Sequence, residues 1–331
     1  MSDLSKLTDW NQLKNLIEQQ EKAADRRNID EEALISHLCS RVKGQEKVIR
    51  DVARLIRLQL SKENKTRPLC NLIFLGPTGT GKTELAKAIA EFLFDDENAM
   101  IRFDCSELSD STGKTRLIGS PLGYVGAEMG GQLTRPVASN PRRLILFDEI
   151  EKADPSIFDL FLQMMGEGRL TEQGNGRTVD FSQCVIILTS NAHAEEIAKI
   201  QKDTKDYLEM LNGVKSYLAD TQVFRPEILG RIDRIYVFEA LQGMVVAEIA
   251  LMKIRKLAKE FRLEVDFIDP QLLVHALSEN KKISRFGIRE LERILFDLFA
   301  PQFAEASKNG ISKLKVRMDT ATKKVVLSRA A

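Results

Sequence analysis

Apolar positions at the start of the chain recur every three or four residues: Leu4, Leu7, Trp10, Leu13 and Ile17. That spacing puts them on one face of a helix. Residues 1–40 are therefore expected to be helical, broken by the charged, solvated stretch EQQEKAADRRNIDEE. Such a stripe either packs on the domain that follows or docks a partner, and the pattern leaves both open. From Leu69 the period changes. LCNLIFLG is a continuous apolar run ending in a glycine loop, and KTELAKAIAEFLF follows with helical spacing. MIRFD (100–104), RLILFDE (143–149) and CVIILTSN (184–191) are three more such runs, each closing on polar residues.

Continuous apolar strands separated by helices predict an α/β fold, a parallel sheet covered on both faces. Ligands of such sheets bind at the carboxyl ends of the strands, where these polar residues stand. RLTEQGNGRTVDF predicts a hairpin turning at Gln173 to Gly176. The sheet is expected to end after FRPEILGRID. A helix at 243–261, a strand at 262–267, two helices and strands at 312–317 and 324–328 then predict a smaller α+β domain. The expected division is an extension at 1–40, a large domain at 41–240 and a small one at 241–331. Pro136 falls inside the helical pattern GGQLTRPVASN. It is tolerated in a first turn and would kink the helix if deeper.

Composition narrows the classes little. The 331 residues are 43% hydrophobic and 29% charged, which suits a chain with a substantial core. Lys+Arg 49 against Asp+Glu 48 leaves a net charge of +1, which argues against a broad nucleic-acid surface. No apolar run approaches the ~20 residues of a membrane span, and the opening residues carry no signal-peptide pattern. Cys39, Cys70, Cys105 and Cys184 are scattered without a C-x-x-C pair, which reads as free thiols in a reducing cytoplasm. His37, His193 and His275 are equally dispersed and read as structural.

Chemistry enters at GPTGTGKT: Gly76, Pro77, Thr78, Gly79, Thr80, Gly81, Lys82 and Thr83. It fits G-x-x-x-x-G-K-[ST] and lies between a predicted strand and a helix, the context the motif requires. Glycines let backbone N–H groups curl around phosphate at the helix amino terminus. Lys82 would reach the β- and γ-phosphates of ATP, and the Thr83 hydroxyl is placed for Mg²⁺. The later GKT at Gly113 to Thr115 has Leu108 where the first glycine should stand, so it is a decoy. In RLILFDEIEKAD, Asp148 would hold Mg²⁺ and Glu149 would activate the attacking water. With both halves present, hydrolysis as well as binding of ATP is expected.

In their order along the chain these motifs resemble AAA+ ATPases of the Clp unfoldase family, most closely the second ATPase module of ClpB-type disaggregases. The resemblance runs from RVKGQEKVI through FLGPTGTGKTELAKAIA, LIGSPLGYVGAEMGGQLT, FDEIEKADPSIFDLFLQ, ILTSN and FRPEILGRID to FGIRELER, about three-quarters of the chain. It implies an AAA+ large domain followed by a lid domain. It also implies that Asn191 is a sensor placing the attacking water. Arg231 would be a finger reaching the ATP of a neighbouring subunit, and Arg289 a second sensor on the lid. Val42 and Lys43 would flank the adenine, Lys43 replacing the family's usual apolar residue. A finger supplied in trans implies a closed ring, which in this family is a hexamer.

The resemblance also gives a role to SPLGYVGAEMGG. Tyr124 and Val125 match the family's pore loop, whose aromatic and β-branched side chains grip an extended polypeptide independently of its sequence. A tyrosine folded back on the core is the structural alternative. Lys114 and Arg116 suggest a second channel-facing loop at 109–117. The family's peptidase-docking tripeptide is absent between Asn191 and Phe224, so no ClpP-type peptidase is expected as partner. The chain carries one ATPase module where ClpB-type proteins have two. Threading of polypeptide is the first reading, with an adaptor possible at the amino-terminal helix. A nucleotide-gated switch acting on a dedicated partner is the second, and a nucleic-acid motor the third. Aromatic rather than basic residues in the loop favour the first.

Overall fold

The computed structural model describes residues 29–124, 127–204, 206–221, 224–278, 288–318 and 325–329. The stripe from Leu4 to Ile17 lies outside the described residues, as does Val125. Helix α1 (Glu31–Arg41) begins inside the stretch expected to be a solvated break. Asp30 explains the difference, because its carboxylate accepts from the N–H groups of Glu32 (3.0 Å) and Ala33 (3.3 Å). Glu31 and Glu32 complement the positive end of the helix. The charges mark a helix start. Helix α2 (Glu46–Leu60) follows and presents Ile49, Val52, Ala53 and Ile56 to the same core as Leu34, Ile35 and Leu38 of α1.

Strands β1 (Cys70–Leu75), β2 (Met100–Asp104) and β3 (Leu144–Asp148) come next in the chain. Helix α3 (Lys82–Phe94) links the first two, and α4 (Thr112–Ile118) and α5 (Thr134–Ser139) precede the third. Pro136 is the third residue of α5, where its missing N–H belongs to the unpaired first turn. Helix α6 (Ile157–Glu167) leads into the hairpin β4 (Arg169–Thr171) and β5 (Thr178–Asp180), as its turn residues require. Strand β6 (Val185–Ser190), helices α7 (Ala194–Asp203), α8 (Tyr207–Asp220) and α9 (Pro226–Leu229), and strand β7 (Arg234–Val237) complete this part.

Five of these strands form one parallel sheet in the order β2-β3-β6-β1-β7. Alternate residues feed two separate cores. Leu72, Phe74, Leu146, Ile187 and Tyr236 pack under α1, α2 and α3. Ile73, Leu75, Phe147, Leu188 and Ile235 pack on the other face with α6, α8 and α9. That double burial is why the strands read as unbroken apolar runs. β7 departs from expectation, since the sheet continues past FRPEILGRID for one more strand. RIYV is only four residues long and follows the turn at Arg231 directly, so it reads as loop until paired with Leu72 to Leu75 of β1.

The rest builds a third core. Helices α10 (Met244–Glu260), α11 (Pro270–Ser278) and α12 (Ile288–Lys308) pack with the sheet β10-β9-β8, formed by β8 (Glu264–Ile268), β9 (Lys313–Met318) and β10 (Val325–Arg329). Strand β8 runs parallel to β9, and β10 antiparallel. No helix among the described residues is long and apolar enough to cross a membrane.

A polar side chain buried in β1 ties the sheet to its flank. Asn71 is fully buried, and its Nδ2 donates to the carbonyls of Met165 and Arg231, both at 3.1 Å. Its own N–H donates to Asp233 Oδ2 at 2.8 Å. Asn71→Leu would strip both carbonyls of this donor, leaving them the longer bonds from Arg67 at 3.3 Å, and is expected to lower stability by about 1–2 kcal/mol. Urea unfolding checks this; an unchanged midpoint would contradict it.

Candidate functional site

The site forms where β1 ends and α3 begins. Gly76 leaves the strand at φ +135°, and an added Cβ would stand 2.6 Å from the carbonyl oxygen of Phe238. Gly81 heads α3 at φ +100°. These positive φ values turn the loop so tightly that only glycine fits without strain. Thr80 is buried and its hydroxyl donates to the Pro77 carbonyl at 2.9 Å, whereas Thr78 is exposed. The first N–H groups of α3 have no partner within the helix, which makes this end attractive to an anion.

Lys82 is 6% exposed, and its Nζ uses all three hydrogens: to Gly76 O (2.6 Å), Pro77 O (2.8 Å) and Asn191 Oδ1 (2.8 Å). Burial pulls the ammonium pKa down to about 8, against the opposing pull of Asp148, Glu151 and Glu149. Asn191 is a bridge. Its Nδ2 donates to Glu149 Oε1 at 3.0 Å, and its backbone N–H donates to Glu151 Oε1 at 3.1 Å. The expected phosphate-binding lysine, sensor and general base therefore sit in one hydrogen-bonded chain.

Asp148 ends β3, buried beside the loop. Thr83 Oγ1 stands 3.5 Å from Asp148 Oδ2, and Arg102 Nη2 is 2.6 Å from the same oxygen. The Thr189 hydroxyl donates to Asp148 Oδ1 and accepts from the Glu149 N–H at 3.1 Å. Glu149 adopts φ +56°, an uncommon conformation for a residue with a side chain, and its carboxylate also pairs with Lys152. Strain of this kind persists where neighbours hold it, here Thr189 and Asn191. Thr189, Glu151, Arg102 and Lys152 were not among the sequence candidates. Only Thr189 had a visible signal, a hydroxyl two residues before Asn191 at the end of an apolar strand.

The adenine-flanking candidates lie beside this loop. Val42 is buried, and its Cγ1 stands 3.1 Å from where a Gly81 Cβ would be. Lys43 is half-buried. Gly44 lies against Val245 at the start of α10, with 2.7 Å from an added Cβ to Val245 Cγ1. Gln45, another residue the sequence reading missed, holds the segment down. Its Nε2 donates to Glu239 O (2.9 Å) and Thr80 O (3.4 Å), and its Oε1 accepts from the Glu239 N–H (3.1 Å).

Of the two arginine candidates, only Arg231 has a described side chain. Arg231 is exposed at the amino end of β1, roughly 16 Å along the strand from the glycine loop. Its guanidinium lies over Gly166 of α6, with 3.0 Å from Cζ to an added Cβ. Arg289 falls in the first turn of α12, and its side chain lies outside the described residues. Tyr124 is 69% exposed, beside exposed Leu122 and Met129, so it does not fold back on the core. Arg116 belongs to helix α4 and is engaged within the chain, by Glu107 Oε2 (2.8 Å) and Gln132 Oε1 (2.9 Å).

The donor set suits a nucleoside polyphosphate with a divalent cation. A buried ammonium and a glycine-built helix terminus meet the anion. A hydroxyl and a carboxylate at Thr83 and Asp148 would suit a metal, and the buried Glu151 Oε2 has no hydrogen-bond partner among the described residues. Sheet, loop and acidic pair together define a P-loop nucleotide-binding module. Residues 67–235 match the model of the AAA domain, Cdc48 subfamily, and the chain belongs to that family.

Among curated proteins, the chain is 45% identical over 272 residues to chaperone protein ClpB 1 of Synechococcus elongatus, covering 81% of this chain and 30% of the relative. It is 40% identical over 263 residues to ClpB of Streptomyces albus G, covering 78% and 30%. It is 46% identical over 228 residues to ClpB of Gloeobacter violaceus, covering 68% and 26%. The chain thus spans under a third of these relatives' length and is similar to one AAA module within them.

The depressed pKa of Lys82 has a measurable consequence. An anion beside Nζ favours the ammonium, so binding raises the pKa that burial had lowered. Above about pH 8 the free protein has largely lost this proton, and binding must restore it. ADP binding at about pH 9 is expected to take up close to one proton, read as buffer-dependent heat in calorimetry. At about pH 7 Lys82 is charged in both states and contributes none. The uptake should vanish in Lys82→Met; uptake that persists there would assign it to another group.

Proposed function

We propose that this chain is an ATPase that remodels proteins, threading polypeptide through the pore of a homo-oligomeric, hexameric ring. The observation that carries the reading is the exposed Tyr124 on a glycine-flanked loop in a module whose nucleotide site is otherwise closely packed. An aromatic side chain left in solvent gains by covering apolar groups of a partner, with little demand on sequence. The similarity to ClpB chaperones supports the same reading. In this account the large ATPase domain runs to residue 240 and takes α1 into its core, 241–331 form the lid, and the residues before α1 are an extension able to meet an adaptor.

Each site residue then has a task. Gly76 to Thr83 cradle the phosphates, with Val42 and Lys43 beside the base. Thr83 and Asp148 hold Mg²⁺, which when bound neutralises phosphate charge. Lys82 exchanges its carbonyl partners for phosphate oxygens. Glu149 takes the proton of the attacking water, and Asn191 orients both Glu149 and Lys82. Arg231 cannot serve its own site from the far end of β1, which supports a role at a neighbour's ATP and makes the active site a shared one. Arg289, at the start of α12, would carry the lid's response to nucleotide.

The test uses a stably folded fluorescent protein bearing an unstructured tail, mixed with this protein and ATP. Fluorescence is expected to fall with time. Glu149→Gln should slow ATP hydrolysis at least ~10²-fold while leaving nucleotide bound. Tyr124→Ala should abolish unfolding and keep hydrolysis. If fluorescence persists with the unaltered protein, or Tyr124→Ala unfolds substrate at the normal rate, threading by this loop is wrong. A nucleotide-gated switch on a dedicated partner then becomes the better account.

A further inference from the structure

The turn of the hairpin β4–β5 reaches across to the loop that carries Tyr124 and touches both of its legs. On the entering leg, the Gln173 N–H donates to Ile118 O at 2.9 Å. Gly174 lies so close that an added Cβ would stand 2.3 Å from Ala127 O and 3.4 Å from Ser120 O. On the leaving leg, Glu172 makes the attachment. Its Oε1 accepts from the Gly131 N–H (2.9 Å) and the Thr134 hydroxyl (3.2 Å), and its Oε2 accepts from Asn175 Nδ2 within the turn (2.8 Å).

Glu172 is 4% exposed, and no cation pairs with it among the described residues. A buried carboxylate is costly unless its lone pairs are filled, and here three neutral donors fill them. Those donors come from the turn, from the loop's last glycine and from the first residue of α5. The glycines around it are shaped to the same contact. A Cβ on Gly130 would fall 2.5 Å from Glu172 Oε1, and one on Gly131 would fall 2.2 Å from Leu117 O. Beyond this base the loop is open: nothing lies within 4 Å of an added Cβ on Gly123, and Leu122, Tyr124 and Met129 are all exposed. The loop is therefore fixed at its base, while Leu122, Tyr124 and Met129 stand in solvent.

We propose that Glu172 is the positioning residue of the Tyr124 loop: its carboxylate clamps the hairpin turn to the loop's base and so sets where the exposed aromatic stands. The clamp is a property of the fold; its effect on substrate rests on the proposed threading function. The hairpin follows α6, the helix that supports the Arg231 guanidinium at Gly166. Placement of the loop is thereby tied to the side of the module that would face a neighbour.

The test separates the clamp from the function. A spin label is placed at Leu122→Cys in a Cys39→Ser background, leaving Tyr124 intact, and three further substitutions are compared: Glu172→Ala, Glu172→Gln and Tyr124→Ala. Glu172→Ala is expected to make the label clearly more mobile and to slow substrate unfolding about tenfold or more, with ADP affinity within about twofold of the parent. Glu172→Gln keeps one oxygen for Gly131 and Thr134 and loses the second acceptor, so its label mobility and unfolding rate should fall between. It also stands in if the alanine variant fails to fold. A label unmoved by Glu172→Gln and by any folded Glu172→Ala overturns the proposal. If Glu172→Ala frees the label while Tyr124→Ala unfolds substrate normally, the clamp stands and threading by the loop fails. If Tyr124→Ala abolishes unfolding and the Glu172 variants change neither label nor rate, the clamp alone is wrong.

Discussion

Everything at the candidate site depends on keeping one ammonium group out of water at the carboxyl edge of a buried sheet. Lys82 meets that constraint with three acceptors, two of them carbonyls of its own glycine loop and the third the side chain of Asn191. Because the third acceptor is the side chain of the residue that follows β6, the lysine is joined to the strand end that also holds Glu149 and, through Thr189, Asp148. A phosphate that replaces the two carbonyls would leave Asn191 as the lysine's remaining protein partner. Binding of an anion at Lys82 would thus be felt at Asn191, which also holds Glu149.

The second organising constraint is backbone proximity. Gly76 against Phe238, Gly44 against Val245 and Gly174 against Ala127 are places where a single Cβ would push two segments apart. The first seats the glycine loop against the chain leaving β7, the second brings the adenine-side segment to α10, and the third seats the hairpin under the Tyr124 loop. In this account the moving parts are joined through close glycine contacts and a few buried polar groups such as Gln45 and Glu172. Large apolar faces hold the two sides of the sheet, where nothing needs to shift.

Much of this was legible from the chain. Continuous apolar runs gave four of the five parallel strands, since burial on both faces leaves an unmistakable mark on composition. G-x-x-x-x-G-K-T and the acidic pair gave Lys82, Thr83, Asp148 and Glu149 for the same reason: phosphate chemistry demands those groups at fixed spacing. Tyr124 was named from resemblance, and the fold leaves it exposed. What was missed shares a different cause. β7 is four residues long and is a strand only by virtue of its partner. Asp30 converts a charged stretch into a helix start through one carboxylate. Glu172, Gln45 and Asn71 act across more than thirty residues of sequence, and a polar side chain buried by a distant segment looks, in one dimension, like any surface residue. Arg231 was named from resemblance, and only the fold places it at the opposite end of β1 from its own phosphate loop.

That separation makes the account's central claim, a catalytic site completed by a neighbouring subunit, directly measurable. Two preparations are needed, one carrying Glu149→Gln and the other Arg231→Ala, each assayed alone and then after mixing under conditions that exchange subunits. A shared site predicts that neither hydrolyses ATP appreciably alone and that mixing restores activity, because an intact Glu149 on one subunit then meets an intact Arg231 on the next. Full hydrolysis by Arg231→Ala alone, or no recovery in mixtures shown to have exchanged subunits, would contradict it.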